Sequence, residues 1–194
     1  MVTIEFVGGT ARVMVARCRR FSGVMPMTEP ITLRIPCVPV AQPRIKATSR
    51  GGHAAVYTPT TIRNSDGTKK PHPIVLFKAT LRQVASAAYM GASLEGPLLV
   101  NVVAVFPRPK LPRSAGSGRL RHTKKPDRDN LDKAILDGLR GIIFRDDRQV
   151  CDGRIVKVVA AVGEQPHVEI EIVVLEEIEI VPIPPVVKQK SLIA

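Results

Sequence analysis

Tryptophan is absent and aromatic residues make up only 4% of the 194-residue chain. Rings on which single-stranded bases could stack are therefore scarce. Cysteine is scarce as well: Cys18, Cys37 and Cys151 are odd in number and far apart, without the paired spacing of a zinc site, and read as reduced thiols. No apolar run is long enough to cross a bilayer, and residues 156–162, among the longest, have the length of a strand. The N-terminus lacks the order of charge, apolar run and cleavage site that marks a secretory signal. Neither a membrane nor a small-molecule cofactor is expected, and the expected location is the cytoplasm. Acids are the remaining shortage, 17 Asp and Glu against 29 Lys and Arg, for a formal charge of +12. That balance favours a polyanionic partner, because cations placed near phosphates release condensed counterions. Charge alone does not separate nucleic-acid chemistry from a packaging or ribosomal role.

A hydrophobic fraction of 44% is enough for one core. Residues 1–29 show weak periodicity punctuated by arginines and read as an extension, poorly ordered. Residues 179–194, with their prolines and basic finish, read as a flexible tail. The domain is expected at 30–178. It opens with Ile31, Leu33 and Ile35 alternating against Thr32 and Arg34, as in a half-buried strand. A hairpin is expected around Arg50-Gly51-Gly52, an exposed loop at 60–73, a helix at 74–90 ended by Gly91, and a strand at 98–106 apolar enough to be covered on both faces. Residues 107–125 carry seven Lys or Arg and no acid. A short helix is expected at about 130–140, with Leu131, Ile135 and Leu139 inward and Lys133, Asp137 and Arg140 outward. Strands at 155–162 and 168–175 complete an α/β or α+β fold, a single mixed sheet with two main helices.

Carboxylates gather around that second helix. Asp127 and Asp129 lie on one side of an extended lead-in, Lys133 is one helical turn from Asp129, and Asp146-Asp147 follow the helix end. A phosphodiester repels an attacking hydroxide, and a divalent metal removes that obstacle by polarising the phosphoryl oxygen and lowering the pKa of water. Mg²⁺ prefers hard oxygen ligands and keeps several waters, so two or three carboxylates suffice. Asp127, Asp129 and Asp147 are the candidate ligands, and Lys133 the candidate for neutralising developing charge. Plainer readings stand beside these. Asp129 or Asn130 serves equally as a helix cap, Lys133 with Asp137 as a surface ion pair, and Asp146-Asp147 as a turn.

The run 125–133 (KPDRDNLDK), then LDGL at 136–139 and RDDRQV at 145–150, closely resembles the signature of the RusA family of Holliday junction resolvases of phages and prophages. PVAQPR at 39–44 and VYTP at 56–59 are similar to that family's opening turn and hairpin, so the resemblance covers about residues 30–175. It implies a homodimeric, Mg²⁺-dependent endonuclease, with Mn²⁺ as a substitute ion, that nicks two strands of a four-way DNA junction symmetrically in recombination and repair. By the same resemblance the catalytic acids and metal ligands are Asp127, Asp129 and Asp147, and the catalytic lysine is Lys133. Asn130, Asp137, Asp146 and Gln149 match other recurring positions, with Asn130 and Asp137 expected to hold the site's geometry. Arg44, Lys46, Lys124, Lys125 and Lys157 are the expected DNA-binding residues.

The N-terminal extension, the 61–73 loop and the basic 108–125 run are longer or less regular than that family's core, which bears on substrate preference and not on the chemistry. Two other readings compete with the resolvase: a non-catalytic protein that binds junctions or branched DNA, and a metal nuclease acting on flaps or RNA.

Overall fold

A computed structural model of the chain describes residues 3–7, 10–14, 29–50, 53–110 and 116–176. The expected tail at 179–194 lies outside these residues, as does most of the expected extension. Within that extension, strands β1 (Thr3–Val7) and β2 (Thr10–Met14) pair antiparallel, where the sequence reading assigned no element.

Strand β3 (Ile31–Ile35) buries Leu33 and Ile35, as its alternation predicts. Two antiparallel ribbons follow, β4 (Lys46–Arg50) with β5 (His53–Tyr57), and β6 (Thr61–Arg63) with β7 (Lys69–Pro71). The second ribbon occupies the segment read as a loop. Its strands are three residues long and almost wholly exposed, so no apolar alternation marks them. Helix α1 (Pro73–Ala88) begins with proline at its first position, after His72, whose ring nitrogen accepts from the Ile74 N–H. Strand β8 (Leu98–Phe106) is followed by the short β9 (Leu120–Arg121), helix α2 (Arg128–Leu139), β10 (Val150–Asp152), β11 (Ile155–Val159) and β12 (His167–Val174).

Five strands form the main sheet in the order β3-β12-β8-β11-β9, and β10 is a sixth beside β8. Only β10 and β11 run parallel to β8; the other pairings are antiparallel. The sheet is therefore mixed, with two main helices, as expected. Strand β8, helix α2 and β11 form the crossover that a parallel pair requires. Gly153 breaks the line between β10 and β11 at φ +142°, where a Cβ would lie 2.0 Å from the Val100 carbonyl oxygen, so only glycine fits the bulge.

The core lies between one face of the sheet and the two helices. Val100, Val102, Ala104, Ile170 and Ile172 meet Phe77, Leu81, Leu131, Ile135 and Leu139 there. Leu99, Asn101 and Val103 face the other way and are half-buried. Among the described residues the two helices pack on one side of β8 only, while the other face is half-buried apart from the fully buried Val105. Gly138 lets α1 and α2 approach, since a Cβ there would sit 2.8 Å from a Leu81 methyl.

Candidate active site

Helix α2 starts two residues earlier than its apolar pattern suggests, so Asp127 and Asp129 straddle its N-terminus instead of sharing an extended segment. Asp127 is the N-cap residue, at φ −68° and ψ 147°, yet its side chain makes no capping hydrogen bond. The plain reading of Asp129 or Asn130 as the cap fails as well, since both lie inside α2. Asp127 Oδ2 meets Arg44 Nη2 at 3.4 Å. The turn bearing Arg44 is docked on α2 by the Gln42 N–H, which donates to the Asn130 carbonyl at 2.8 Å. Asp129 is exposed and, among the described residues, its carboxylate enters no hydrogen bond or ion pair.

One turn further along α2, Lys133 keeps its ammonium 3.9 Å from Asp137 Oδ1 and remains 57% exposed. Asp137 is committed elsewhere, because its Oδ2 accepts from Lys78 Nζ of α1 at 2.9 Å. That bond ties the two helices and leaves Lys133 loosely held beside Asp129. Asp132, on the inner side of the same turn, has its carboxyl pushed up by burial, with Arg128 opposing the shift.

Beyond the C-terminal end of α2, Asp147 opens a single 3-10 turn (Asp147–Gln149). Asp146 is its cap: Oδ1 accepts from the Arg148 N–H at 3.2 Å, while Gln149 Oε1 accepts from the Asp146 N–H at 3.0 Å. The bond from Arg148 holds the Asp146 carboxyl below its usual range, and Arg140 stands 3.6 Å away. Gln149 also donates to the Leu94 carbonyl at 2.9 Å, fastening this turn to the segment before β8. Asp146 and Gln149 thus set the position of Asp147.

The structure brings Asp127, Asp129 and Lys133 to one end of α2 and leaves Asp147 past the other. Twelve helical residues rise about 18 Å. Among the described residues, the single group of three or more potential ligands gathered within 4.8 Å is Glu164, His167 and Glu169, far from these acids in the chain. That group already holds a cation. Arg119 reaches Glu164 at 2.5 Å and Glu169 at 2.7 Å, and its bond to Glu164 draws that carboxyl down to about 2. The exposed oxygens of Asp127 and Asp129 are the better fit to a hard divalent ion, which takes one or two carboxylates and completes its shell with water and substrate phosphate.

Of the expected DNA-binding residues, Lys46 projects from the exposed β4, and Lys124 and Lys125 are exposed just before Asp127. Lys157 is different. Its ammonium donates to the carbonyl of Lys124 at 2.8 Å and to that of Pro126. It clamps the segment leading to Asp127 from the helix-facing side of β11. An open cleft of about 380 Å³ adjoins this clamp, lined by Arg121, Arg128 and Arg154 among others. None of the three arginines stands out in the sequence, because a strand edge and a helix start, 33 residues apart in numbering from Arg121 to Arg154, bring them together.

A family model described as "Endodeoxyribonuclease RusA" matches residues 36–173, from the end of β3 through β12. "Uncharacterized protein YqaN" of Bacillus subtilis (strain 168) is 32% identical over 141 residues, 69% of this chain and 89% of that protein. The matched span contains both helices, Asp127, Asp129, Lys133 and Asp147, and the chain belongs to the RusA family of endodeoxyribonucleases, the Holliday junction resolvases.

Proposed function

We propose that this chain is a homodimeric, Mg²⁺-dependent nuclease that resolves four-way DNA junctions by paired symmetric nicks. The observation that carries the reading is the Asp127 carboxylate, which sits at a helix cap position without capping, beside an unpaired Asp129 and one turn from an exposed Lys133. Asp127 and Asp129 would hold the ion. Mg²⁺, when bound, supplies Lewis acidity and makes water a usable nucleophile. Lys133 offsets charge building on the phosphoryl or leaving oxygen, and the products carry a 5′-phosphate and a 3′-hydroxyl. Arg44, which faces Asp127 Oδ2 at 3.4 Å, would be free to bind a phosphate wherever that carboxylate served as a metal ligand.

Asp147 enters through the dimer. Because α2 separates it from Asp127 within one chain, its carboxylate is supplied to the site by a second copy, and a two-fold axis generates two such sites for the two strands cut. Asp129→Asn removes a ligand and one negative charge facing the DNA. Cleavage is expected to fall on the order of 10³-fold or more, with junction binding retained or tightened. Cleavage at the wild-type rate by this variant contradicts the assignment.

A further inference from the structure

Five of the described arginines have side-chain hydrogen bonds or ion pairs. Arg119 is bound by Glu164 and Glu169, Arg140 faces Asp146, Arg44 faces Asp127, and Arg82 and Arg108 donate to backbone carbonyls. The cleft lined by Arg121, Arg128 and Arg154 gathers three arginines that have none. Among the described residues, Arg121 and Arg154 have no acceptor for their guanidinium groups, and Arg128 has only the electrostatic pull of Asp132. Three like charges around about 380 Å³ repel one another at a cost that an anion would offset.

The surroundings specify the kind of anion. Strand β9 covers β11 at Val158 and Val159 and the His122 N–H donates to the Lys157 carbonyl at 3.0 Å, so the β11 edge is open only at Ile155 and Val156 along the cleft. His122 stacks on Phe106 with ring centroids 4.4 Å apart, and its Nδ1 is buried without a partner. The ring shapes one wall without adding charge of its own, since burial, then Lys157 and Lys124, lower its affinity for a proton. Lys157 is committed to the carbonyls beside it and is not counted among the free cations. Arg128 is the first residue of α2 and follows Asp127 directly. An anion seated in the cleft therefore adjoins the carboxylates at the helix start. An open, arginine-lined trough suits a chain of phosphodiesters better than a closed pocket suits a free nucleotide, because forked guanidinium groups bind phosphate in pairs of hydrogen bonds.

We infer that Arg121, Arg128 and Arg154 form a phosphate-binding subsite that grips the backbone of the cut strand next to the scissile phosphate and so sets which phosphate meets Asp127 and Asp129. The inference rests on the nuclease reading and adds the residues that fix cleavage position. They are positioning residues, and Arg→Lys at the same sites keeps the charge while losing the fork.

The test uses the full-length protein with a labelled four-way junction. Affinity is measured in EDTA across about 50–200 mM salt, and cleavage is mapped separately in Mg²⁺. Double replacement Arg121→Gln/Arg154→Gln is expected to weaken binding roughly tenfold or more and to reduce the slope of log affinity against log salt by about 0.9 for each phosphate released. The residual nicks are expected to spread to neighbouring phosphates, and the double lysine variant is expected to recover the slope but not the sharp cleavage position. Inorganic phosphate as sole ligand is expected to bind weakly. An unchanged slope and cleavage map in a variant that is folded by circular dichroism overturns the subsite while leaving the nuclease intact. Wild-type protein that neither binds nor cuts junctions overturns both.

Discussion

Conversion of Lys157→Met keeps the length of the side chain and removes an ammonium that donates to the Lys124 and Pro126 carbonyls. Each charge-assisted bond of this type contributes about 1.5–3 kcal/mol when its partners are dry. The Lys124 carbonyl lies in an exposed segment and regains water on release, so the expected loss of stability is about 2 kcal/mol, not twice the single-bond figure. The larger effect falls on the site. The clamped segment ends at Asp127, and a carboxylate displaced by about 1 Å costs on the order of 10² in rate. Single-turnover cleavage with protein in excess over a four-way junction separates the possibilities. The clamp predicts a roughly 10²-fold slower cut at saturation, a small change in affinity, and an unchanged salt slope. A variant that cuts at the wild-type rate once saturated, but whose salt slope drops by about 0.9, refutes the clamp and makes Lys157 a phosphate contact.

Other expectations are as direct. Mixing Asp127→Asn with Asp147→Asn protomers is expected to restore single-strand nicking that neither homodimer shows, because one of the two shared sites is then intact; no activity in the mixture places each site within one chain. Gly153→Ala puts a Cβ 2.0 Å from the Val100 oxygen at φ +142°, with an expected loss of about 3 kcal/mol and a Tm lower by roughly 10 °C, and an unchanged Tm contradicts the bulge. Glu164, held at about 2 by Arg119 against an ordinary 4.5, contributes stability that is full above about pH 4.5 and lost as pH falls toward 2. With Arg119 a third exposed and the pair screened, that contribution is about 1 kcal/mol. Arg119→Gln is expected to lose it near neutral pH and to match the wild type in acid, as read from denaturant unfolding at several pH values; equal stability of the two at neutral pH refutes the pairing.

Local patterns in the chain carried the elements that bury side chains. Ile31, Leu33 and Ile35 alternate because one face of β3 meets the core, and Leu131, Ile135 and Leu139 repeat at helical spacing because α2 lies on the sheet. Strand β11 ends at Val159 and not at Val162, because the chain leaves the sheet at a turn where the Glu164 N–H donates to the Ala161 carbonyl. The elements that bury little left no such mark, as with the β6–β7 ribbon and the two-residue β9. In the site, the DRDN and RDDRQ runs pointed to the acids, yet their geometry depended on long-range contacts that no spacing encodes. The Gln42–Asn130 bond, the Lys78–Asp137 pair, the Lys157 clamp and the arginine cleft all join segments far apart in sequence. The separation of Asp147 from Asp127 followed from the length of α2 alone, and that length was visible once its start was known.

The most direct test is cleavage of a synthetic four-way junction, with linear duplex and flap DNA as controls, in Mg²⁺ and in EDTA. Paired nicks at symmetric positions in the junction alone, lost in EDTA, are the predicted result. Binding without nicks, or cutting confined to flaps or duplex, contradicts it.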